Sequence, residues 1–475
     1  MDVKVLQNLI KNTATLRERR VNRYKTSLRY YENKTDITNR NNGKSRLNKE
    51  GKDKPLRHAD NRVPQNFHQL LVDQEASYVA TKVPQIDVGD EKINNQIIDV
   101  LGDQFALTLN NLVVDAALGG YSCLHYWLDD DNNFRYSVVP FDQVTPIFDT
   151  TLTSKLIGLL RSYKQLDSDT GKYFIVHEYW TDQEAMFFRT PDTENVETLE
   201  PYNRITTFDV SAGYETGASN VFHHKFGRVP FIIFPKNRYR EPDLFKYKGL
   251  IDAYDDIYNG FLNDIDDIQQ VVLVLKNYGG TDLRSFMKDL NEYKAVKFNN
   301  SGNGDQSGID TLQIEIPTEA RNTVLNITRD NIFVQGQGID PTKFDTTNAS
   351  GTAIKMLYST LELKASTTEA NFRNSISDLV RAIMTYLNLP NAMSTNVIQT
   401  WQRTMIEDSL SQAQVLSTVA NWSSKEAIAK ANPIVDDWQQ ELKYQEEDAK
   451  NGDPFAPDSD YKPDDSEDDV DDEDE

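Results

Sequence analysis

Residues 244–270 constrain the fold of this chain most, because apolar and acidic residues alternate there with a helical period. The apolar residues recur at three- and four-residue steps and fill an arc of roughly 140° on a helix. They are Leu250, Ile251, Tyr254, Ile257, Tyr258, Phe261, Leu262, Ile265 and Ile268. Five aspartates stand opposite them, namely Asp252, Asp255, Asp256, Asp266 and Asp267. We therefore predict one helix of 27 residues, about 40 Å long.

The acidic face of this helix has two interpretations. No basic residue follows these aspartates at the four-residue spacing that would pair them along the helix. Such a face is expected of a helix that lines a path for something negatively charged. The alternative is a solvated outer face, because the sequence does not tell which side looks inward.

The charge of the chain is strongly negative and unevenly distributed. There are 51 basic and 74 acidic residues, a net charge of −23, which is the opposite of the basic footprint of an ordinary nucleic-acid-binding protein. Residues 1–60 nevertheless hold 16 Lys and Arg against 7 Asp and Glu, whereas residues 446–475 hold 16 acids and 2 lysines. The two termini therefore have different electrostatic surroundings.

The length of 475 residues predicts more than one domain. A single cysteine, Cys123, excludes an internal disulfide framework and fits folding in a reducing compartment. No run approaches the roughly 18 apolar residues that span a bilayer, and no leader pattern follows Met1. We expect a protein that is made in a cytoplasm and does not enter a membrane.

The periodicity along the chain predicts an α+β fold. We expect helices over residues 3–32, 66–83, 93–119, from about 317 to 336, 350–389, 396–419 and 425–450. We expect short strands over residues 121–128, 134–140, 158–163, 173–180, 184–189, 230–235 and 271–275. Residues 33–60 lack an apolar period and predict a mobile basic arm, and residues 451–475 predict a disordered acidic tail.

Each candidate catalytic or metal-binding motif in the sequence lacks a residue that its chemistry needs. We therefore predict no enzymatic activity, no cofactor and no metal. The Gly-Lys-Ser at residues 43–45 resembles the end of a phosphate-binding loop, but Thr38 stands where that loop needs glycine. Cys123 and His125 share one face of a predicted strand without a second ligand pair, which favours a packed core. Residues 129–133 lack the glycine and distal glutamate of a calcium loop, which favours a hairpin turn.

Several short segments follow one another along this chain in an order that is typical of one protein family. These segments are Tyr30-Tyr31-Glu32, Asn61-Arg62-Val63 with Asn66, Pro146-Ile147-Phe148-Asp149, Gly227-Arg228-Val229-Pro230-Phe231, Leu250-Ile251-Asp252-Ala253-Tyr254, Leu273-Val274-Leu275-Lys276 and Ala349-Ser350-Gly351. Together they resemble the portal proteins of tailed double-stranded-DNA bacteriophages of the SPP1-like type. The resemblance covers residues 1 to about 390.

The resemblance implies a division into the regions of a portal subunit. Residues 1–240 would form the wing, 244–270 and 317–336 the two stem helices, and 271–316 a small α/β clip. Residues 337–349 would form the tunnel loop, 350–389 the long wing helix and 390–450 a helical crown. Asp340, Thr342, Lys343 and Phe344 are the candidate site residues of this DNA tunnel loop. Lys343 and Phe344 are the candidates for weak, moving contacts with DNA, although a loop that merely connects two helices is the alternative.

The resemblance also implies partners and a location. A homo-oligomeric ring, most often of twelve subunits, would sit at one vertex of the capsid and conduct double-stranded DNA. The terminase large subunit, a head-completion adaptor, the major capsid protein and the scaffold would bind it, first in the host cytoplasm and then in the virion. Two alternatives stay open: a scaffold or internal head protein, which predicts mostly helix, and a DNA-processing enzyme.

The basic N-terminal segment and the acidic tail admit several roles. The segment could contact capsid, scaffold, DNA or a neighbouring subunit, of which the subunit contact is preferred. The tail could repel packaged DNA or only aid solubility.

Overall fold

The fold was analysed in a computed structural model, which describes most of the chain. The described residues are 2–39, 59–168, 170–191, 195–209, 214–268, 272–276, 308–312, 317–343, 351–403, 409–432, 434–435 and 438–451. The chain divides into a larger unit, residues 1–345 with 357–404, and a smaller unit, residues 346–356 with 405–475.

The helices of the larger unit follow the predicted periods closely. They are α1 (Val3–Tyr31), α2 (Phe67–Ala80), α3 (Glu91–Leu101), α4 (Phe105–Gly119), α5 (Lys248–Ile268), α6 (Thr318–Gly336) and most of α7 (Gly351–Tyr386). The helices α8 (Ser409–Val419), α9 (Lys425–Ala431) and α10 (Trp438–Asn451) belong to the smaller unit. In the described residues no individual helix has the length and apolarity to cross a membrane; the bent pair α3 and α4 meets that test together, by composition and length only.

The strands form antiparallel sheets in the middle of the larger unit. They are β1 (Gln85–Asp87), β2 (Tyr121–Leu128), β3 (Phe134–Val139), β4 (Val144–Phe148), β5 (Leu156–Leu166), β6 (Tyr173–Trp180), β7 (Glu184–Pro191), β8 (Glu200–Pro201), β9 (Ile205–Asp209), β10 (Tyr214–Ser219), β11 (Val221–His223), β12 (Phe231–Pro235), β13 (Val272–Lys276), β14 (Gly308–Leu312) and β15 (Ile398–Thr400). One six-stranded sheet has the order β11-β7-β6-β5-β4 with β8 beside β7, and a three-stranded sheet has the order β12-β2-β3. The mixture of helices and sheets confirms the α+β prediction.

Three predicted helices have different bounds, each for a local reason. The helix predicted over residues 93–119 is broken between α3 and α4, where Gly102 takes a φ of 62°. The helix predicted over 244–270 begins at Lys248, after a separate 3-10 turn over Leu244–Lys246. The helix predicted over 425–450 is two helices, since Pro433 stands between them in the sequence.

The helix predicted over residues 396–419 is wrong at its start. Residues 398–400 instead form strand β15, which pairs antiparallel with β1 so that Ile86 lies opposite Gln399. This pairing joins residues more than 300 positions apart, and a local periodicity cannot reveal it. Strand β4 was not predicted either; it contains Pro146 and lies at the end of the sheet order, where a missing amide donor is tolerated.

Two clusters of buried residues supply the main cores. Around β2, β6 and β12 a buried cluster includes Tyr121, Trp180 and Phe231. A second cluster joins α1, α2, α5 and α6 through residues such as Tyr30, Leu71, Ile251 and Phe333.

The predicted mobile arm is ordered at its start. Thr35 is 1% and Ile37 is 4% exposed, and residues 36–39 form a 3-10 turn. Residues 40–58 of the arm and 452–475 of the tail lie outside the described residues, as does the predicted clip except for the antiparallel pair β13 and β14.

Candidate functional site

Helices α5 and α6 run antiparallel and form the framework of the candidate site. Near the end of α5, Asp264 pairs with Arg321 at the start of α6, and the Arg321 guanidinium lies 5.5 Å from the centre of the Phe261 ring. At the opposite end, Ile251 packs in one cluster with Phe333. The two helices therefore contact each other over most of their length.

A polar stripe on α5 binds the backbone of an extended segment, residues 61–65. The amides of Gln65, Val63 and Asn61 donate to Asp255 Oδ1 (3.0 Å), Asn259 Oδ1 (2.7 Å) and Asn263 Oδ1 (2.6 Å), respectively. Four helical residues rise about 6 Å and two extended residues rise about 6.6 Å, so the two spacings stay in register. The Asn259 amide group also donates to the Val63 carbonyl at 2.9 Å. We call this arrangement the stem ladder.

The stem ladder changes the interpretation of the acidic face. Asp255 is 1% exposed and accepts hydrogen bonds from the Thr35 hydroxyl and the Gln65 amide. Burial raises the pKa of Asp255 to about 6, and these hydrogen bonds only partly oppose the shift. The prediction that Asp255 lies on an exposed acidic face is therefore wrong, because the chain covers this carboxylate with its own backbone.

The other predicted aspartates differ in their surroundings. Asp252 forms an ion pair with Lys248 at 2.7 Å and accepts from the Tyr30 hydroxyl, so it has the basic partner that the sequence analysis missed in the preceding turn. Asp266 is exposed and accepts from the Asn61 side-chain amide at 2.7 Å, and Asp256 is exposed. The side chain of Asp267 lies outside the described residues. A channel-lining role stays a prediction for Asp252, Asp256, Asp266 and Asp267.

The base of the predicted tunnel loop is anchored to α6. Arg329 makes two parallel hydrogen bonds to Asp340, from Nε to Oδ2 and from Nη2 to Oδ1, both 2.8 Å long. Asp340 Oδ1 also accepts from the Thr342 amide (2.9 Å) and hydroxyl (2.8 Å). Burial alone would raise the pKa of Asp340, but Arg329 and Thr342 outweigh it and lower the pKa.

The base of the predicted tunnel loop is also anchored to α2. The Gln74 side-chain amide donates to the Ile339 carbonyl (2.7 Å), and the Ile339 amide donates back to Gln74 Oε1 (2.9 Å). A Cβ on Gly338 would lie 2.2 Å from Leu71 Cδ2, so this approach requires glycine. Helix α6 ends in a Schellman pattern, with the Gly338 amide on the Phe333 carbonyl at 3.0 Å.

The four candidate residues of the tunnel loop differ in their surroundings. The Asp340 side chain is 5% exposed and paired with Arg329, so within the subunit it holds the base of the loop. The Lys343 side chain is 56% exposed and lies 2.6 Å from Asp330, an exposed pair that contributes little. Thr342 donates its hydroxyl to Asp340 Oδ1 and is itself exposed. Phe344 lies outside the described residues.

A buried ionic network joins α2, β12, the 3-10 turn and α7 beside this base. Lys236 pairs with Glu75, and Lys364 Nζ lies 3.1 Å from Glu75 Oε2 and 3.3 Å from Asp243 Oδ2. All four side chains are at most 4% exposed. Burial alone would raise the pKa of Asp243, but Lys236, Lys364 and Lys246 hold it well below its usual range.

Sequence reasoning missed this network, although a signal for it exists. Lys364 and Thr368 fall on the same helical period as the buried Leu361 and Phe372, and a lysine at a core position predicts a buried partner. No comparable signal marks Gln74 and Arg329, because their spacing from the loop base is set by packing.

The predictions for the isolated polar residues of the sheet are confirmed. Cys123 is 1% exposed, and His125 Nδ1 lies 2.8 Å from the Pro230 carbonyl oxygen. Asp129 accepts from the Asn133 amide at 2.8 Å within a hairpin turn. In the described part of the chain, no group of three or more His, Cys, Asp or Glu residues is placed to hold a metal ion.

Comparisons with known proteins match most of this chain to one family. A family model described as phage portal protein, SPP1 Gp6-like, matches residues 11–454. The portal protein of Clostridium phage phiCD119 is 35% identical over 421 residues, which cover 86% of this chain and 88% of that protein. The portal protein of Bacillus phage SPP1 is 26% identical over 401 residues, covering 81% of this chain and 75% of that protein.

One solved structure was compared as well. The neck of a native GTA particle computed with C12 symmetry has 12% sequence identity, a TM-score of 0.39 and coverage of 77% of this chain and 88% of that chain. A likeness at this level carries no argument about assembly.

The matched length and the named relatives define the class of this protein as a phage portal protein, a structural component of the virion capsid that serves as head-tail connector in DNA packaging. Within that class, the chain belongs to the SPP1 Gp6-like family. The sheets of the larger unit also contradict the alternative of a mostly helical internal head protein.

Proposed function

We propose that this chain assembles into a ring of about twelve copies at the unique capsid vertex and conducts double-stranded DNA through its centre. The observation that carries this proposal is an apolar stripe on α6 that one subunit leaves exposed. Val324, Ile327 and Val334 are 45%, 56% and 65% exposed and share one face of the helix. A helix pair with a second apolar face needs a second partner, and a neighbouring copy supplies it.

The stem helices α5 and α6 then form the channel wall. The channel-facing acids are Asp256, Asp266 and Asp267, repeated in every subunit. Double-stranded DNA carries one negative charge per about 1.7 Å of its axis, so such a wall repels the duplex and lets it slide. Lys343, at the base of the tunnel loop, supplies a weak and exchangeable contact.

The remaining regions of the ring take the roles expected of a portal subunit. Residues 1–240 form the wing, 271–316 the clip, 350–389 the long wing helix and 390–450 the crown. The terminase large subunit docks at the clip during packaging, and a head-completion adaptor replaces it afterwards. The major capsid protein and scaffold contact the ring in the host cytoplasm, where it nucleates the procapsid. The protein conducts DNA and performs no catalysis.

Native mass spectrometry combined with negative-stain imaging of the purified chain tests the ring. A closed ring of about twelve subunits of 54.3 kDa with a central hole is the expected result. Replacing Val324, Ile327 and Val334 together by serine should shift the protein to smaller species. The matched control replaces three other exposed residues by serine, Ile157 and Leu166 of β5 and Leu152 in the turn before it, and should leave the ring intact. A stable wild-type monomer at concentrations of tens of micromolar would refute the proposal.

A further inference from the structure

The loop base, residues 337–343, is held by contacts from two different helices, and this double attachment has a mechanical consequence. Arg329 of α6 donates two hydrogen bonds to the Asp340 carboxylate. Gln74 of α2 makes two hydrogen bonds with the backbone of Ile339. Each attachment uses two hydrogen bonds, which fix direction as well as distance. Adjacent residues that are each held by a different helix cannot rotate about either attachment alone.

The chemistry of both attachments stabilises the hydrogen bonds that they use. The planar fork of the Arg329 guanidinium matches the Asp340 carboxylate and donates to both of its oxygens. The lowered pKa of Asp340 keeps that carboxylate ionised in mild acid. On the other side, Gln74 satisfies both backbone groups of Ile339, a residue that is 9% exposed. Breaking either attachment leaves poorly hydrated polar groups without partners.

Steric contacts reinforce the hydrogen bonds. Leu71 is fully buried and fills the space beside both Gly336 and Gly338, where added Cβ atoms would come within 2.5 Å and 2.2 Å of its methyl groups. Gln337, between them, adopts a φ of 54° and closes the helix. The chain path from α6 to Asp340 is thus defined by packing, by capping and by charge.

We infer that Arg329 and Gln74 are positioning residues of the portal, which hold the loop base rigid so that each subunit presents Lys343 at one fixed height in the channel. This inference rests on the proposed function, since it assumes that the loop meets DNA. It assigns no DNA contact to Arg329, Gln74 or Asp340. Any movement of the loop during DNA passage is thereby excluded from residues 337–342.

The experiment measures amide hydrogen exchange in the assembled ring together with DNA packaging by the phage that carries each variant. Arg329→Gln and Gln74→Ala each remove one attachment. The matched control is Arg189→Gln, which breaks an exposed pair with Glu200 on the sheet. Native mass spectrometry establishes that each variant forms the same ring as the wild type.

We expect exchange of the Ile339 and Thr342 amides to rise by on the order of tenfold or more in both variants, as for the loss of a charge-assisted or buried hydrogen bond. The yield of DNA-filled heads should fall although ring assembly is unchanged, and the control should match the wild type in both measurements. Arg329→Lys keeps the charge but loses the fork, so intermediate exchange is expected. It also replaces Arg329→Gln if that variant does not fold.

Two outcomes would overturn the inference. Unchanged exchange at residues 339 and 342 would show that the attachments do not hold the loop base. Faster exchange with normal packaging would show that a rigid base is not required. Failure of the wild-type chain to form a ring is a different result, which counts against the proposed function and is seen before any variant is made.

Discussion

Lys236 and Glu75 form an ion pair in which the side chains are only 3% and 0% exposed, respectively. Lys364 and Asp243 complete a buried network of two positive and two negative groups, and the Thr368 hydroxyl donates to Glu75 at 2.6 Å. The partly exposed Lys246 adds a further ion pair to Asp243 at 2.8 Å. The charges balance inside the protein, which is the condition under which buried ions are tolerated. The network therefore fixes the mutual orientation of α2, β12 and α7 beside the loop base.

Removal of one member should destabilise the subunit strongly. Glu75→Leu leaves Lys236 and Lys364 facing Asp243 alone, and breaking a buried pair in this way costs about 3–5 kcal/mol. Adding Lys364→Met restores charge balance, so the double variant should be more stable than the sum of the two single effects predicts. Urea unfolding of the wild type, both single variants and the double variant measures this coupling.

The control for the network is the exposed pair Lys11 and Glu197, whose side chains are 51% and 65% exposed. Lys11→Met should change the free energy of unfolding by less than about 1 kcal/mol. Strict additivity of the Glu75 and Lys364 substitutions would contradict the network.

Asp255 should make the stability of the subunit depend on pH. Its pKa in the folded protein is about 6, above the ordinary 3.8, so folding favours the protonated form. Its contribution to stability is fully present below pH 3.8 and is lost as the pH rises through about 6. Asparagine resembles the protonated acid, so Asp255→Asn should become more stable than the wild type over this interval, by up to about 3 kcal/mol. Unfolding free energies of both proteins between pH 4 and 8 test this, and parallel curves would exclude it.

The stem ladder should depend on Asn259. This residue is 2% exposed and makes hydrogen bonds to both backbone groups of Val63. Asn259→Ala should lower the free energy of unfolding by about 1–3 kcal/mol, because these buried groups lose their partners. Asn371→Ala is the matched control, since the Asn371 amide group bonds to a carbonyl of its own helix; its effect should stay within about 0.5 kcal/mol. Faster hydrogen exchange at the Val63 amide is expected in the first variant alone.

Gly338 should resist substitution for steric reasons. A Cβ there would lie 2.2 Å from Leu71 Cδ2 and 2.8 Å from Gln74 Oε1. Gly338→Ala should cost about 1–3 kcal/mol and weaken the Gln74 attachment. Gly260→Ala places its Cβ in open space within the subunit, in the interior of α5, and should stabilise by about 0.5–1 kcal/mol. Thermal unfolding of the two variants compares them, and equal effects would contradict the close approach.

Much of the secondary structure was predictable from local pattern. Strands β2 and β6 have the predicted bounds, and α1 and α6 differ from prediction by a residue or so, because burial of one face imposes a regular period on each. The pairing of β1 with β15 was not predictable, since it joins distant segments whose short strands carry no period of their own. The ordered motifs that resemble portal proteins proved more informative about function than any individual residue.

The sequence by itself determined that α5 has an apolar face and a polar face, because the period of a helix is a local property. Only the tertiary structure decided what lies against each face. Asp255 and Asn259 are covered by the backbone of residues 61–65, whereas the apolar Val324, Ile327 and Val334 of α6 stay exposed in the subunit. Amphipathicity cannot make this distinction, because a backbone amide satisfies a carboxylate as water does. Asp340 is a second example. The sequence predicts only that it lies in a loop, whereas the tertiary structure pairs it with Arg329 of α6.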